Sequence, residues 1–532
     1  MRWTSLSVSL FLVAAVASRA QAGDFVDTRL NFTIVNENVL VKPGETNPSV
    51  PGWRIGQPTQ LGILFFDNYD TRYTGYENLT HLVIHKVMNT SRVTAEGAYV
   101  LRLLQFTDVN LSSIDDGSYI RLQFWFDKSR RKKTNIALTA FPLNADRMRL
   151  GYSYRITWGG SPMFFKYNPD LPIGASAFVT NTNPSPGLKL QLSDERYYVY
   201  VGFKTSVLLN RNPNVNEQVA VYGLMGGFGV DLVPQHLRLE GVAGFFDRGT
   251  NPLFYGTATG PGQGFTDYPV QTFGGTVQLS AFWGVSPTTS LDLTLYRNDQ
   301  LTTANRYFTR PSYSPGLSFL VSTEFTALGA TLQNADKPGS TTIQNAYAGD
   351  VNLRLQNGYF RFKTDVELRS LSYILINQPS LVPYQDFPGA ATQTPEIFAS
   401  LGGDYFLERA GLTMGLSAGI MSPATFTPPA GQPILGNLTG NAGGSNAVST
   451  TIVVRNEGDL SILPVGQTAT PIFATKVEVR EDFLEWFAGI VQILYQYDAN
   501  QTILTKANDG TSQRVFSQPN RLGFTFTLQA RY

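Results

Sequence analysis

The densest run of ionisable side chains at regular spacing lies in 360–369. There Arg361, Lys363, Asp365, Glu367 and Arg369 alternate with Phe360, Phe362, Thr364, Val366 and Leu368. Successive side chains of an extended strand point to opposite faces, so the five charges share one face. Lys476, Glu478 and Arg480 alternate in the same way with Thr475, Val477 and Val479. Arg121, Arg147, Arg149, Arg155 and Arg354 occupy the polar positions of other runs. Charges lining a water-filled passage set its ion selectivity. The surplus of cations in this set would favour anionic solutes. Alternatively, the charges pair across neighbouring strands and only brace the wall.

Other clusters carry less. Lys128, Arg130, Arg131, Lys132 and Lys133 form a basic run at an expected hairpin tip. It reads as a solvated turn or as a contact for anionic lipid head groups. The histidines are His81, His85 and His236. His81 and His85 face one side of an expected strand about 13 Å apart, too far to share a metal. The chain has no cysteine, which closes disulfide and thiolate-metal chemistry. No metal or cofactor is expected. A hydrolytic site needs a base within hydrogen-bond reach of a nucleophile, and no local motif supplies one. An enzyme is therefore not expected. Gly260-Pro261-Gly262-Gln263-Gly264 has no following Lys or helix and reads as a loop, not a phosphate cradle. The net charge of +1 offers no field for nucleic acid.

The elements that must hold these residues are strands. Period-2 alternation recurs along the chain, cleanest in Leu522, Phe524, Phe526, Leu528, Ala530 and Tyr532 against Gly523, Thr525, Thr527, Gln529 and Arg531. Met148–Trp158, Ala410–Ile420 and Ile120–Phe126 repeat it. The runs are about 9 to 12 residues long, the length a strand needs to cross a bilayer. No segment reaches about 18 consecutive apolar residues, so no transmembrane helix is expected.

Connections come in two sizes. Short ones are expected at Ser193–Arg196, Val233–His236, Gln356-Asn357-Gly358, Glu408-Arg409 and around Asp482. Asn357-Gly358 is a two-residue hairpin signal. Long ones, rich in Gly, Pro, Asn and Thr, fall at 159–186, 248–269, 299–315, 377–394, 422–470 and 500–519. Within 422–470, the pieces near Ile452–Arg455 and Leu460–Leu463 form a hairpin outside the wall. The 316–333 segment breaks the alternation of link lengths. Either 299–315 is a long link on the short-turn side, or one strand pair is split wrongly. Tyr152, Tyr154, Trp158, Tyr198, Tyr200, Trp486, Tyr495, Tyr497 and Tyr532 are candidates for aromatic girdles at the interfaces.

The N-terminus carries Arg2, an apolar stretch from Leu6 to Ala17 and the small-residue pattern Ala20-Gln21-Ala22. Residues 1–22 are expected to be a cleaved signal peptide and 23–532 one barrel with long external loops, the largest about 422–470. Sheets cross membranes only when closed, because closure pairs every backbone group. The expected fold is all-β: a transmembrane antiparallel up-and-down β-barrel of about 18 strands, within about 16 to 20.

The last strand resembles the C-terminal assembly signal of bacterial outer-membrane β-barrel proteins. It has alternating Leu522, Phe524, Phe526 and Leu528 and a terminal aromatic, Tyr532 where that signal usually has Phe. The resemblance implies insertion by the barrel-assembly machinery into the Gram-negative outer membrane. In layout the chain is similar to porins, which implies passive passage of small polar solutes. The expected partners are outer-membrane lipid, the assembly machinery and those solutes; oligomerisation stays open. The rival readings are a surface recognition or structural barrel without a conducting pore, and a hydrolase at the barrel rim.

Overall fold

The computed structural model describes residues 29–41, 52–55, 80–105, 111–115, 117–143, 148–150, 156–157, 186–209, 218–250, 269–285, 311–334, 336–337, 340–376, 386–429, 450–456, 459–506 and 512–531. The main sheet holds twenty strand pieces. Eighteen of them follow one another around a closed circuit. These are β1 (Arg29–Asn36), β2 (Thr80–Asn89), β3 (Val93–Gln105), β4 (Tyr119–Trp125), β5 (Asn135–Phe141) and β6 (Gly187–Ser193). Next come β7 (Tyr197–Leu209), β8 (Gln218–Val233), β9 (Leu237–Thr250), β10 (Pro269–Trp283), β11 (Ser314–Gln333) and β12 (Thr341–Gly358). The circuit ends with β13 (Phe360–Arg369), β14 (Glu396–Leu407), β15 (Leu412–Ser422), β16 (Ile472–Leu484), β17 (Phe487–Tyr497) and β18 (Asn520–Arg531). Every neighbouring pair is antiparallel. The chain is an all-β, up-and-down antiparallel barrel.

Closure is made by β1 against β18. Their register runs from Arg29↔Arg531 to Asn36↔Phe524. Facing hydroxyls of Thr33 and Thr527 lie 3.0 Å apart across that seam, and the Gln529 amide donates to Asn31 Oδ1 at 3.1 Å. The next joint is thinner: β1 meets β2 through Arg29↔His81, and Asn31 N donates to Thr80 Oγ1 at 3.2 Å. A short piece, Arg54–Ile55, pairs with Val35 and Ile34 and extends that edge.

The Leu111–Asp115 piece continues β4 on the same neighbour, β3. Between them Gly117 takes φ +89°, a left-handed value that glycine adopts without strain. The Ser118 hydroxyl accepts from Val100 N at 2.9 Å and replaces the missing ladder bond. This is a bulge, one extra residue absorbed within a long strand.

All links from an even-numbered to the next odd-numbered strand leave the barrel at one end. Seven of the eight are short, and both β1 and β18 begin or finish at that end. The exception joins Trp283 to Ser314, so the expected 299–315 link is a long one on the short-turn side that ends at 313, and the two strands it joins pair directly. The Gln356-Asn357-Gly358 turn differs by one residue from the expectation. Asn357 pairs with Phe360, so Gly358 and Tyr359 occupy the tip, with Gly358 at φ +58°. Glycine supplies the left-handed conformation one place later because Asn357 is still held in the ladder.

Besides the two-stranded hairpin of Thr502–Lys506 with Ser512–Phe516, three elements of the described residues lie off the wall. Ile452–Asn456 and Asp459–Ile462 form the expected hairpin, joined by Ala424–Thr427 and Thr392–Thr394 into a four-stranded sheet. A short helix, α1 (Leu371–Ile376), follows β13 and packs Leu371 and Ile374 against Ala424, Phe426 and Val454 of that sheet. The third is a correction. Met148–Trp158 alternates as cleanly as any wall strand, yet Arg149–Leu150 pairs with Ile156–Thr157 in a separate two-stranded piece.

The expected signal peptide, the Gly260–Gly264 stretch, Tyr152, Tyr154, Trp158 and Tyr532 lie outside the described residues. So do 159–185 and 299–310.

Candidate functional site

The site to consider is the inner face of the wall. Which parity points inward is settled by exposure. Along β7, Tyr197, Val199, Val201 and Phe203 are exposed while Tyr198, Tyr200 and Lys204 are buried. The same split recurs on other strands, with Leu30, Ile120 and Leu416 more than half exposed on the outside. Inside, at 5 % exposure or less, sit Arg121, Lys189, Lys204, Glu240, Gln278, Glu324, Asp350, Asn352, Asp365, Glu367, Arg369 and Glu396. This inverts the ordinary arrangement of a globular protein, where charged side chains are almost never fully buried. Apolar side chains on the outside and polar ones within suit hydrocarbon on the outside.

Cross-strand register sorts the inner charges into bands. One row runs Glu240, Gln278, Glu324, Asp350 and Glu367 on five consecutive strands, β9 to β13. The row four residues away along the strands places Arg354 directly opposite Lys363. Beyond Lys363 this second row continues through Gly402 and Ser417 to Lys476. Four residues along a strand are about 13.6 Å, and the row between the two pairs Asn352 with Asp365, about 6.8 Å from each.

Many inner charges are held by specific partners. Arg361 grips Asp404 at both ends, Nε to Oδ1 and Nη2 to Oδ2, each 2.8 Å. Arg369 Nε donates to Glu396 Oε1 at 2.9 Å, and both side chains are nearly fully buried. Lys476 bonds Glu478, whose carboxylate also accepts from Gln492 Nε2 at 3.0 Å. Arg480 Nε donates to Asp482 at 2.9 Å. Glu324 accepts from Thr276 Oγ1 at 2.8 Å, and Glu240 accepts from the Tyr198 hydroxyl. Across β2, β3 and β4 the Glu96 carboxylate collects the Tyr119 hydroxyl at 2.6 Å, His85 Nε2 at 3.2 Å and Arg121 Nη1 at 3.7 Å. His85 is thus committed to a carboxylate, and His236 stacks on Trp283 in a turn.

Of the residues singled out from sequence, Arg121, Arg354, Arg361, Lys363, Asp365, Glu367, Arg369, Lys476, Glu478 and Arg480 all have inward parity on wall strands. Arg149 lies off the wall, and Arg147 and Arg155 are outside the described residues. Sequence reading missed Glu240, Glu324 and Asp350. Each is a lone acid in an apolar or small-residue run, and only the parity of its neighbours marks it. Tyr198 and Tyr200 are corrected from girdle to inner face. Trp486 and Tyr497 are exposed on the outside.

The inward tyrosines explain a run of glycines. A Cβ on Gly227 would meet the Tyr200 ring at 2.6 Å, and one on Gly229 would strike Tyr198. The rings lie flat over the neighbouring strand, stacked 6.3 Å apart, and Lys189 Nζ sits 5.9 Å from the Tyr200 centroid. Together with Phe141, Met225, Val242 and Phe246 they form an apolar patch inside the barrel, and Met148 and Leu150 are buried in it. Lys204 Nζ donates to Met148 O at 3.3 Å, and Gly202 leaves the space that the Met148 Cε occupies. The Arg149–Leu150 hairpin therefore rests on the inner wall. Alternation reports two environments, and here they are an apolar wall patch and the lumen rather than lipid and lumen.

The sequence matches no family model and no curated protein. Solved barrels do superpose. OprD from Pseudomonas aeruginosa is 10% identical, with 96% of each chain covered and a TM-score of 0.37. OpdL from the same organism is 9% identical over 95% of this chain and 97% of that one, with a TM-score of 0.38. Wzi, a carbohydrate-binding β-barrel involved in group 1 capsule assembly in Escherichia coli, is 9% identical over 98% of this chain and 88% of that one, at 0.37. OprD and Wzi are outer-membrane proteins. The barrel itself rests on its own closure. Likeness at these scores assigns no activity.

Proposed function

We propose that this chain spans the bacterial outer membrane and carries small polar solutes passively through its interior. The observation that carries the reading is the inverted wall: a closed antiparallel circuit, apolar outside, with buried charge and hydroxyl groups inside. A soluble protein would have no use for that outer face. A solid plug would more simply be filled with apolar side chains, because breaking even in burying charge needs good geometry and full pairing.

The reading includes export through cleavage after Ala22 and recognition of β18, with Leu522, Phe524, Phe526, Leu528 and Tyr532, by the assembly machinery. It assigns Arg121, Arg354, Arg361, Lys363, Asp365, Glu367, Arg369, Lys476, Glu478 and Arg480 to the pore lining. The paired ones brace the wall. Arg354 and Lys363 stand directly opposite each other on neighbouring strands, so two cations meet at one level of the wall. Their neighbours along the row, Gly402 and Ser417, are small and carry no charge. This is the place where an anionic solute would be favoured. The Arg149–Leu150 hairpin narrows the passage from within.

Planar-bilayer recording of the native chain and of a variant lacking 144–158 tests the proposal. Discrete conductance steps are expected, larger in the deletion variant. Folded barrels that carry no current in either form would overturn it. Replacing Arg354 and Lys363 by Gln is expected to move the reversal potential in a salt gradient towards cation preference. The four-stranded sheet beside α1 favours a second reading, recognition of a surface ligand. Its removal with conductance intact and ligand binding lost would support that reading.

A further inference from the structure

Two neighbouring turns at the short-turn end form a basic patch that solute passage does not use. Turn 126–134, between β4 and β5, carries Lys128, Arg130, Arg131, Lys132 and Lys133, and the turn between β2 and β3 adds Arg92. The two turns are clamped together. Arg130, at φ +55°, donates to Thr90 O and to Asn89 Oδ1, and its guanidinium carbon lies 5.3 Å from the Trp125 centroid.

The acid within the turn is already used. Asp127 accepts from the amides of Ser129 at 3.0 Å, Arg131 at 3.1 Å and Lys132 at 3.2 Å, and from the Ser129 hydroxyl at 2.7 Å. In the next turn Asp194 accepts from Thr134 Oγ1 at 2.9 Å. Lys128, Arg131, Lys132 and Lys133 are exposed, and no carboxylate pairs with them among the described residues. Just below the cations, on the outer face, Met88, Phe124 and Phe126 are exposed, the two rings edge-on at 5.8 Å.

We propose that this patch binds the head groups of anionic phospholipids in the leaflet on the short-turn side. The cations meet the phosphodiesters, and the aromatic step beneath them meets the acyl chains. A soluble polyanion would satisfy only the cations. The turn is held in shape before any ligand arrives, so little ordering entropy opposes binding. Each basic residue near an anionic surface contributes about a fivefold gain. The inference rests on the barrel crossing a membrane, which lipid-facing labelling tests separately.

The experiment uses the full chain in phosphatidylcholine nanodiscs containing a minority of phosphatidylglycerol, with lipids retained on the barrel counted by native mass spectrometry. The native chain is expected to enrich phosphatidylglycerol. The variant with Lys128, Arg131, Lys132 and Lys133 all changed to Gln is expected to lose about tenfold or more of that enrichment. Arg409→Gln, in another turn of the same end, is expected to keep it. Equal enrichment in the native and fourfold variants overturns the proposal. So does binding of short-chain polyphosphate to the detergent-solubilised barrel that displaces phosphatidylglycerol completely. Heat-shifted gel mobility checks folding; if the fourfold variant fails it, Lys132→Gln with Lys133→Gln carries the same comparison.

Discussion

Asp127 shows how much a single side chain can be fixed by one hydroxyl and the amides of its own turn. The Ser129 hydroxyl and the surrounding amides hold its carboxyl at about 2, below the ordinary 3.8. A depressed acid stabilises the turn fully above its unfolded value. That contribution is lost as pH falls from about 3.8 through about 2. Carboxyl carbon-13 titration of the full chain in micelles is expected to give a midpoint near about 2; a midpoint at the ordinary value would remove the proposed turn geometry. On the inner wall the decisive small residue is Gly227. Gly227→Val would press a branched side chain into the Tyr200 ring and is expected to cost about 1–3 kcal/mol, read as a lower urea midpoint of unfolding.

At the scale of elements, the paired charges hold neighbouring strands. Arg369 and Glu396 join β13 to β14, next to the long link that carries α1. Glu396→Gln leaves a buried guanidinium without its carboxylate and is expected to cost about 3–5 kcal/mol. Replacing Glu408, which is exposed on a turn, should change the urea midpoint little. Most wall strands were legible in the sequence because lipid on one side and water on the other impose strict alternation. The parity of 359–369 and 473–480 was readable to the residue, and the hairpin expected near Ile452–Arg455 and Leu460–Leu463 forms within one residue of those bounds. Three things were not. Met148 and Leu150, at the head of the alternating run, rest on an apolar patch of the inner wall, an environment that sequence periodicity cannot tell from lipid. Tyr198 and Tyr200 carry the side-chain type of a girdle, but opposite glycines make room for them inside. The acidic row from Glu240 to Glu367 is a property of register, and each strand by itself shows only one or two of its members.

The whole molecule depends on closure. Strand β18 pairs on one side with β17 and on the other with β1, so it covers two edges at once. Without it, both edges would face hydrocarbon with unpaired backbone groups, each costing several kcal/mol. Deleting 520–532 is therefore expected to abolish the compact, heat-modifiable form on gels, whereas deleting 144–158 leaves it. The most direct test of the inverted wall uses the absence of native cysteine, which makes single-cysteine scanning clean. Cysteines placed one at a time along Tyr197–Leu209 in vesicles would carry a fluorophore quenched by nitroxide lipids. Strong quenching at 199, 201 and 203 with weak quenching at 198, 200 and 202 is the expected result. Uniform quenching along the strand, or none anywhere, would contradict a wall with lipid on one face and a polar interior on the other.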